Sequence, residues 1–265
     1  NNPQGKYDTF AREIHLNLFA REPDNIKMIC CNETYCHYLR RDNAISELRR
    51  VGSERVREYT TEYINDYIRQ AKEHGYIVAH NHPYWSMEME ERILSYEGLF
   101  SIEMCNYGSY VTNHIEHNGA IYDKLLSVGK RIACHGADDN HNKFPIDSPY
   151  SDSFGAFTMI YPEEFTYTGV INAMENGQMY SSMGPVFKEI SVNGNKVHIE
   201  CSEVKHIFMY VGSKTPCNAH AQEGEYLTSV DFEIDDRAQY IRISIKDEKG
   251  NWADTRGFFR DEFEK

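Results

Sequence analysis

The chain has 265 residues, of which 40% are hydrophobic and 26% are charged, and this composition is typical of a globular protein. Its 28 Lys and Arg residues against 41 Asp and Glu residues give a net charge of −13. That acidic balance argues against a protein that holds nucleic acid mainly by releasing counterions, so stable nucleic-acid binding is not expected. No apolar run approaches the length of a transmembrane helix, and no signal peptide is visible, so no membrane association is expected.

The seven cysteines form no regular framework, and an odd count in a chain of this length predicts reduced thiols and a cytoplasmic protein. Cys30, Cys31, Cys36 and His37 lie close together in the sequence. They lack the C-x2-C spacing and the second ligand pair of a structural zinc site. We therefore favour ordinary thiols over zinc at this cluster.

The first part of the chain alternates predicted strands with predicted helices. Apolar runs predict strands at residues 26–31, 76–80, 100–105, 130–135, 156–161 and 178–182. Helical spacing of apolar residues, with Gly75 as a stop signal, predicts helices at 54–74, 114–128 and 168–175. Strands separated by helices at these intervals predict a parallel α/β domain over residues 1–185, either a barrel or a doubly wound sheet.

The pattern changes after Gly184-Pro185 to two-residue alternation. Apolar positions on either side of Asn193-Gly194 predict a hairpin, and the alternation of Ile241, Ile243 and Ile245 predicts another strand. We expect residues 186–265 to form a small antiparallel β-sandwich. His198, His206 and His220 are predicted to be scattered on its surface.

Two polar segments follow predicted strands. His80 and His82 belong to AHNHPYW, and Asp138, Asp139 and His141 belong to GADDNHN. Loops at the carboxyl ends of parallel strands share one face, and imidazole and carboxylate ligands suit Zn, Mn or Fe. For either segment alone, the open alternative is a capped loop with hydrogen-bonded polar groups.

The segments NHPYWS, IEMCNYG, GKRIACHGADDNHN and DSFGAFTMI resemble the second half of a PHP domain, of the polymerase and histidinol phosphatase superfamily. The resemblance covers roughly residues 10–185, and the all-β tail matches a subgroup of these proteins. It implies a distorted seven-stranded TIM-like (β/α) barrel. It further implies two or three divalent metals, a phosphoesterase activity and a small phosphorylated substrate.

The resemblance also assigns metal ligands. His82, before Pro83, matches the histidine of the central family motif, and Asp139 and His141 match the closing D-x-H pair. His15 in EIHLNLFA resembles an earlier histidine ligand, and Glu33 is a competing early ligand.

Other residues receive supporting roles. Asp138 is predicted either to orient a ligand or to transfer a proton. His80 and Asn81 are predicted to line the pocket, His80 as a catalytic residue and Asn81 as a substrate contact, and a purely structural role for His80 is equally open. Lys143 is predicted to add positive charge for the phosphate, with an ordinary surface lysine as the alternative. The Glu88–Glu91 stretch is predicted to be a solvated helix start.

The family's opening H-x-H and Asp-His motifs do not occur in this chain. We therefore expect upstream sequence or a partner chain to supply them. Whether the protein forms a homo-oligomer is left open. The predicted function is a metal-dependent phosphoesterase that uses no nucleotide cofactor. One alternative is a degenerate, non-catalytic binding protein, and another is a metal-dependent hydrolase of a non-phosphate bond.

Overall fold

The computed structural model describes residues 13–32, 50–113, 117–212 and 215–263. Glu33, Cys36, His37 and the predicted helix start at His114 lie outside the described residues. The chain divides into two compact units, Asn1–Phe100 with Tyr161–Asn176 and Ser101–Ile160 with Gly177–Lys265. Each unit combines two separate stretches, whereas the predicted boundary after residue 185 divides the chain once; that boundary stays a prediction. Within the described residues, no helix has the length and apolar character needed to cross a membrane.

The secondary structure of the described residues consists of short helices and many strands. The first unit contains β1 His15–Ala20, β2 Met28–Ile29, β3 Arg50–Val51, α1 Thr61–Glu73, β4 Tyr76–Asn81, α2 Glu90–Ser95 and α5 Tyr167–Glu175. The helices of the second unit are α3 Tyr107–Asn113, α4 Gly119–Ser127 and α6 Arg260–Phe263. Its strands are β5 Ser101–Asn106, β6 Ala133–Ala137, β7 Phe157–Ile160, β8 Met179–Ser182, β9 Phe187–Asn193, β10 Lys196–Val204, β11 His206–Tyr210, β12 Cys217–His220, β13 Leu227–Glu233, β14 Tyr240–Lys246, β15 Trp252–Thr255 and β16 Phe258–Phe259.

Helix α1 packs its apolar face into the core of the first unit. Its Ile68 and Ala71 are fully buried and lie in one cluster with Val78 of β4. The Thr60 side chain accepts a hydrogen bond from the backbone N–H of Tyr63, so it caps the helix and sets its start. The predicted helix therefore begins several residues too early, whereas its end before Gly75 is confirmed.

Strand β1 pairs with β4 in the antiparallel direction. The register sets His15 opposite Asn81 and Leu16 opposite His80. Because the last residue of β4 faces the first residue of β1, the loop that follows β4 begins beside His15. This pairing determines the geometry of the candidate site.

The second unit contains antiparallel sheets that share an apolar core. One sheet has the order β13-β10-β9, and the other runs β12-β11-β14-β15-β8-β7. Buried side chains from both sheets meet in a single cluster that includes Ile199, Ile207 and Ile243. The hairpin of β9 and β10 is as predicted, with Asn193 opposite Lys196 and Gly194 at φ +63°.

The predicted TIM-like (β/α) barrel is wrong. The sheets of the described residues are open rather than closed, and the helices between the strands are few and short. Strand β1 is antiparallel to β4, while β7 and β8 pair antiparallel and extend the same sheet as β14 and β15. Alternation of strand and helix along a sequence does not by itself determine strand direction. Strand β8, which follows α5, pairs with β15 near the end of the chain.

Candidate functional site

Two histidine side chains meet at the end of the β1–β4 ladder. The Nδ1 atom of His15 lies 2.7 Å from the Nε2 atom of His82, and the ring centroids are 4.8 Å apart. His15 is the first residue of β1, and His82 directly follows β4. The structure therefore brings together two of the predicted metal ligands.

The loop after β4 holds His82 in one orientation. His82 has a positive φ of 31°, and its carbonyl oxygen accepts a hydrogen bond from the Ser86 N–H at 3.0 Å. The Trp85 ring packs edge-on against the His82 ring at 5.1 Å. The Nδ1 atom of His82 lies 3.1 Å from Oγ of Ser86. When Nδ1 carries the proton and donates to this hydroxyl, Nε2 keeps a lone pair on the side that faces His15.

His80 belongs to a buried hydrogen-bonded network. Its Nε2 atom lies 2.6 Å from Oε1 of Glu88, and the Tyr96 hydroxyl donates to Oε2 of the same carboxylate at 2.8 Å. Burial, and then the Glu88 carboxylate, raise the pKa of Tyr96 well above its usual range, so its phenol stays a donor. The prediction that Glu88 is solvated is wrong, because its side chain is fully buried.

This network favours a structural role for His80, and its predicted catalytic role stays a prediction. Among the described residues, the Nδ1 atom of His80 and the Oδ1 atom of Asn81 have no hydrogen-bond partner. Both residues are buried, so the predicted contact of Asn81 with substrate also stays a prediction. The sequence did not reveal the contact between Glu88 and His80, because a carboxylate eight residues after a histidine is not a recognisable motif.

In the second unit, Asp138 organises the backbone. Its carboxylate accepts hydrogen bonds from the N–H groups of Phe154, Gly155 and Ala156, the last two at 2.8 and 2.9 Å. These contacts hold Phe154 at a positive φ of 63°. Asp138 thus positions a backbone segment, and the two roles predicted for it, orienting a ligand or transferring a proton, stay predictions.

Asp139 and His141 lie in the turn after β6. The Nδ1 atom of His141 lies 2.6 Å from the carbonyl oxygen of Asp139, so Nδ1 is the protonated donor and Nε2 keeps its lone pair. The backbone N–H of His141 donates to Oδ2 of Asp152 at 2.8 Å. The His141 side chain is exposed, and its orientation is one that a metal ligand uses.

Asn106 connects Asp139 to a second carboxylate that the sequence interpretation missed. Its Nδ2 atom donates to Oε2 of Glu103 at 3.1 Å and to Oδ2 of Asp139 at 3.2 Å. Glu103 is fully buried in β5. The sequence signal for Glu103 was a single Glu within the apolar run FSIEMC. A charged residue is rarely buried without a partner, so a Glu in a buried strand indicates a polar site.

The predicted site residues are thus divided between the two units. The first unit contains His15, His80, Asn81 and His82, and the second contains Asp138, Asp139, His141 and Lys143. Lys143 is exposed. Across the part of the chain that the structure describes, no three His, Cys, Asp or Glu side chains form a ready metal-binding group.

Comparison with known proteins finds no family model, curated protein or solved structure that matches the chain.

Proposed function

We propose that the protein is a metal-dependent phosphoesterase in which the imidazoles of His15 and His82 hold a divalent transition metal such as Zn, Mn or Fe. The observation that carries this proposal is the 2.7 Å approach of His15 Nδ1 to His82 Nε2. The PHP resemblance of the sequence supports the same two residues as ligands.

The geometry of the pair fits a metal after a small adjustment. Zn–N bonds of 2.0–2.1 Å in a tetrahedral site place two ligand nitrogens about 3.3 Å apart. The His15 and His82 nitrogens are 2.7 Å apart, so the rings need to separate by only about 0.6 Å. The Ser86 hydroxyl lies at the remaining nitrogen of His82, where it can accept the Nδ1 proton and leave Nε2 for the metal.

A bound divalent metal supplies a Lewis acid for the phosphate ester and makes water a stronger nucleophile near neutral pH. The chain's own residues position the components. Ser86 and Trp85 orient His82. Within the second unit, Asp138 accepts from the N–H groups of Gly155 and Ala156, and Asp152 accepts from the N–H of His141. Asp139 and His141 are proposed metal ligands of that unit. The exposed Lys143 is a proposed contact for the phosphate of a small substrate.

Metal content and activity test this proposal together. Purified protein, without a histidine tag, is analysed for Zn, Mn and Fe and assayed with an aryl phosphate and an aryl acetate. We expect His15→Ala and His82→Ala to lose bound metal and phosphatase activity in parallel. His198→Ala is the matched control, because His198 lies in β10 beside Asp231, with no proposed role.

Each contrary outcome identifies a different function. Metal-free wild-type protein without hydrolytic activity would support a binding role. Esterase activity that follows metal content, in the absence of phosphatase activity, would support hydrolysis of a non-phosphate bond and overturn the phosphoesterase assignment.

A further inference from the structure

A second pair of histidines lies in the antiparallel part of the second unit. His206 of β11 and His220 of β12 are directly opposite each other in the strand register. Their Nδ1 atoms are 2.8 Å apart, and their ring centroids are 5.0 Å apart. The prediction that these histidines are scattered is therefore wrong, because the β11–β12 ladder brings together two residues that are 14 positions apart.

Neighbouring side chains hold the two rings in place. Phe208, two residues after His206 on the same face, stacks on the His206 ring at 6.0 Å and meets the His220 ring at 5.7 Å. Strand β12 is at the edge of its sheet among the described strands, and His220 is exposed. The pair is thus ordered and open to solvent, so an ion reaches it without rearrangement of the core.

Two lysines lie beside the histidine pair. Burial, followed by His220, Lys246 and Lys205, lowers the pKa of His206. Lys246 pairs across the ladder with His206 and lies over the Trp252 ring, 4.8 Å from its centroid. Lys205 precedes His206 and lies over the Tyr226 ring, 4.0 Å from its centroid, with Oε1 of Glu248 3.6 Å from its Nζ. Both lysine side chains therefore have aromatic partners of their own beside the histidine pair.

His198 provides the contrast within the same unit. Its Nδ1 atom lies 2.7 Å from Oδ1 of Asp231, and its Nε2 atom lies 3.5 Å from Oε1 of Glu200. Hydrogen bonds to these two carboxylates raise the pKa of His198. Both nitrogens of His198 are engaged by acids, whereas His206 and His220 face each other.

We propose that His206 and His220 form a two-imidazole binding site for a divalent transition metal, with water completing the coordination. This site is additional to the metal proposed at His15 and His82, and it does not depend on the phosphoesterase assignment. Imidazole ligands select Cu²⁺, Ni²⁺ and Zn²⁺ over Mg²⁺ and Ca²⁺, and Cu²⁺ binds most tightly in this series. The Nδ1 atoms need to separate from 2.8 Å to about 3.3 Å, which a small ring rotation at the sheet edge provides.

Calorimetric titration of the full, untagged chain with NiCl₂ tests this site. The His82→Ala variant serves as the background, so that the first histidine pair does not contribute. We expect this background to bind one more equivalent of Ni²⁺ than its His206→Ala or His220→Ala derivatives. Adding His198→Ala instead should leave the stoichiometry unchanged, and MgCl₂ should give no corresponding binding.

Equal Ni²⁺ stoichiometry in all four proteins would overturn the proposal. An equal decrease with His198→Ala would also overturn it, because the binding would then be general to surface histidines. Circular dichroism verifies folding, and the exposed His220 gives a decisive variant even where His206→Ala fails to fold. Neither result bears on metal binding by His15.

Discussion

The Nε2 atom of His80 lies 2.6 Å from the Oε1 atom of Glu88, and both side chains are fully buried. Glu88 Oε2 accepts a second hydrogen bond, from the Tyr96 hydroxyl, so one carboxylate connects the end of β4 to the segment that follows α2. The loop that presents His82 lies between these two anchor points.

Replacement of Glu88 should therefore destabilise the protein. Glu88→Ala leaves the His80 ring and the Tyr96 hydroxyl buried without their acceptor, and each such group costs about 1–3 kcal/mol. We expect a decrease of about 2–5 kcal/mol in the free energy of unfolding, measured by urea denaturation. The control is Glu91→Ala, at an exposed carboxylate in α2. Equal stability of the two variants would contradict the role of this network.

Ser86 should control metal binding at His82 without being a ligand. Ser86→Ala removes the hydroxyl beside Nδ1 of His82, so the ring and its tautomer are less restrained. Loss of such a partner lowers metal affinity by about 10–100-fold. We expect a larger dissociation constant for the metal, measured by competition with a chromogenic chelator. Activity should recover when the metal is saturating. Ser95→Ala, at an exposed serine whose hydroxyl donates to the Glu91 carbonyl oxygen within α2, should keep wild-type affinity.

Asp138 should be required for the conformation of the segment at 154–156. Asp138→Ala removes the acceptor of three backbone N–H groups, two of them at 2.8 and 2.9 Å. Since Phe154 is held at a positive φ, its segment should relax and become accessible to proteases. Limited chymotrypsin digestion should cleave after Phe154 faster in this variant than in Asp147→Ala, whose side chain is exposed. Identical cleavage rates would show that Asp138 does not hold the segment.

Asp254 should make stability depend on pH in the acid range. Burial alone raises its pKa, but His117 and Arg242 outweigh burial and lower the pKa below its ordinary value of 3.8. A carboxyl group with a lowered folded-state pKa stabilises the protein above its unfolded-state pKa, and this contribution is lost as the pH falls through the folded-state pKa.

We therefore expect the free energy of unfolding to fall below about pH 4, and to fall less steeply in Asp254→Asn. The amide oxygen of this variant still accepts from Nη1 of Arg242, which donates to Oδ1 of Asp254 at 2.9 Å. Asp236→Asn, at an exposed position, is the control and should retain the wild-type slope. A slope in Asp254→Asn equal to that of wild type would contradict the assignment.

Local patterns predicted several elements but not how strands pair. The buried strand β4 and the hairpin at Asn193-Gly194 were predicted, because hydrophobic runs and turn residues act over a few positions. The antiparallel partnership of β1 with β4, and of β8 with β15, depends on residues far apart in the chain. No local signal contains that information, so parallel strands were predicted where these pairs are antiparallel, and the PHP resemblance added a barrel where the sheets are open.

The difference between local patterns and long-range contacts also explains which residues of the candidate sites were predicted. His15 and His82 were named from sequence resemblance, and their contact is shown by the structure. Glu88 and Glu103 were missed because burial of a carboxylate depends on partners from other elements. The His206–His220 pair was missed because its register is set by the β11–β12 ladder.

Anomalous diffraction from crystals grown with ZnCl₂, collected at the zinc absorption edge, tests the central claim most directly. We expect an anomalous peak for a zinc ion bound by Nδ1 of His15 and Nε2 of His82, with both Zn–N bonds about 2.0–2.1 Å long. The absence of a peak at this position, with the two nitrogens still in direct contact, would contradict a metal centre at His15 and His82.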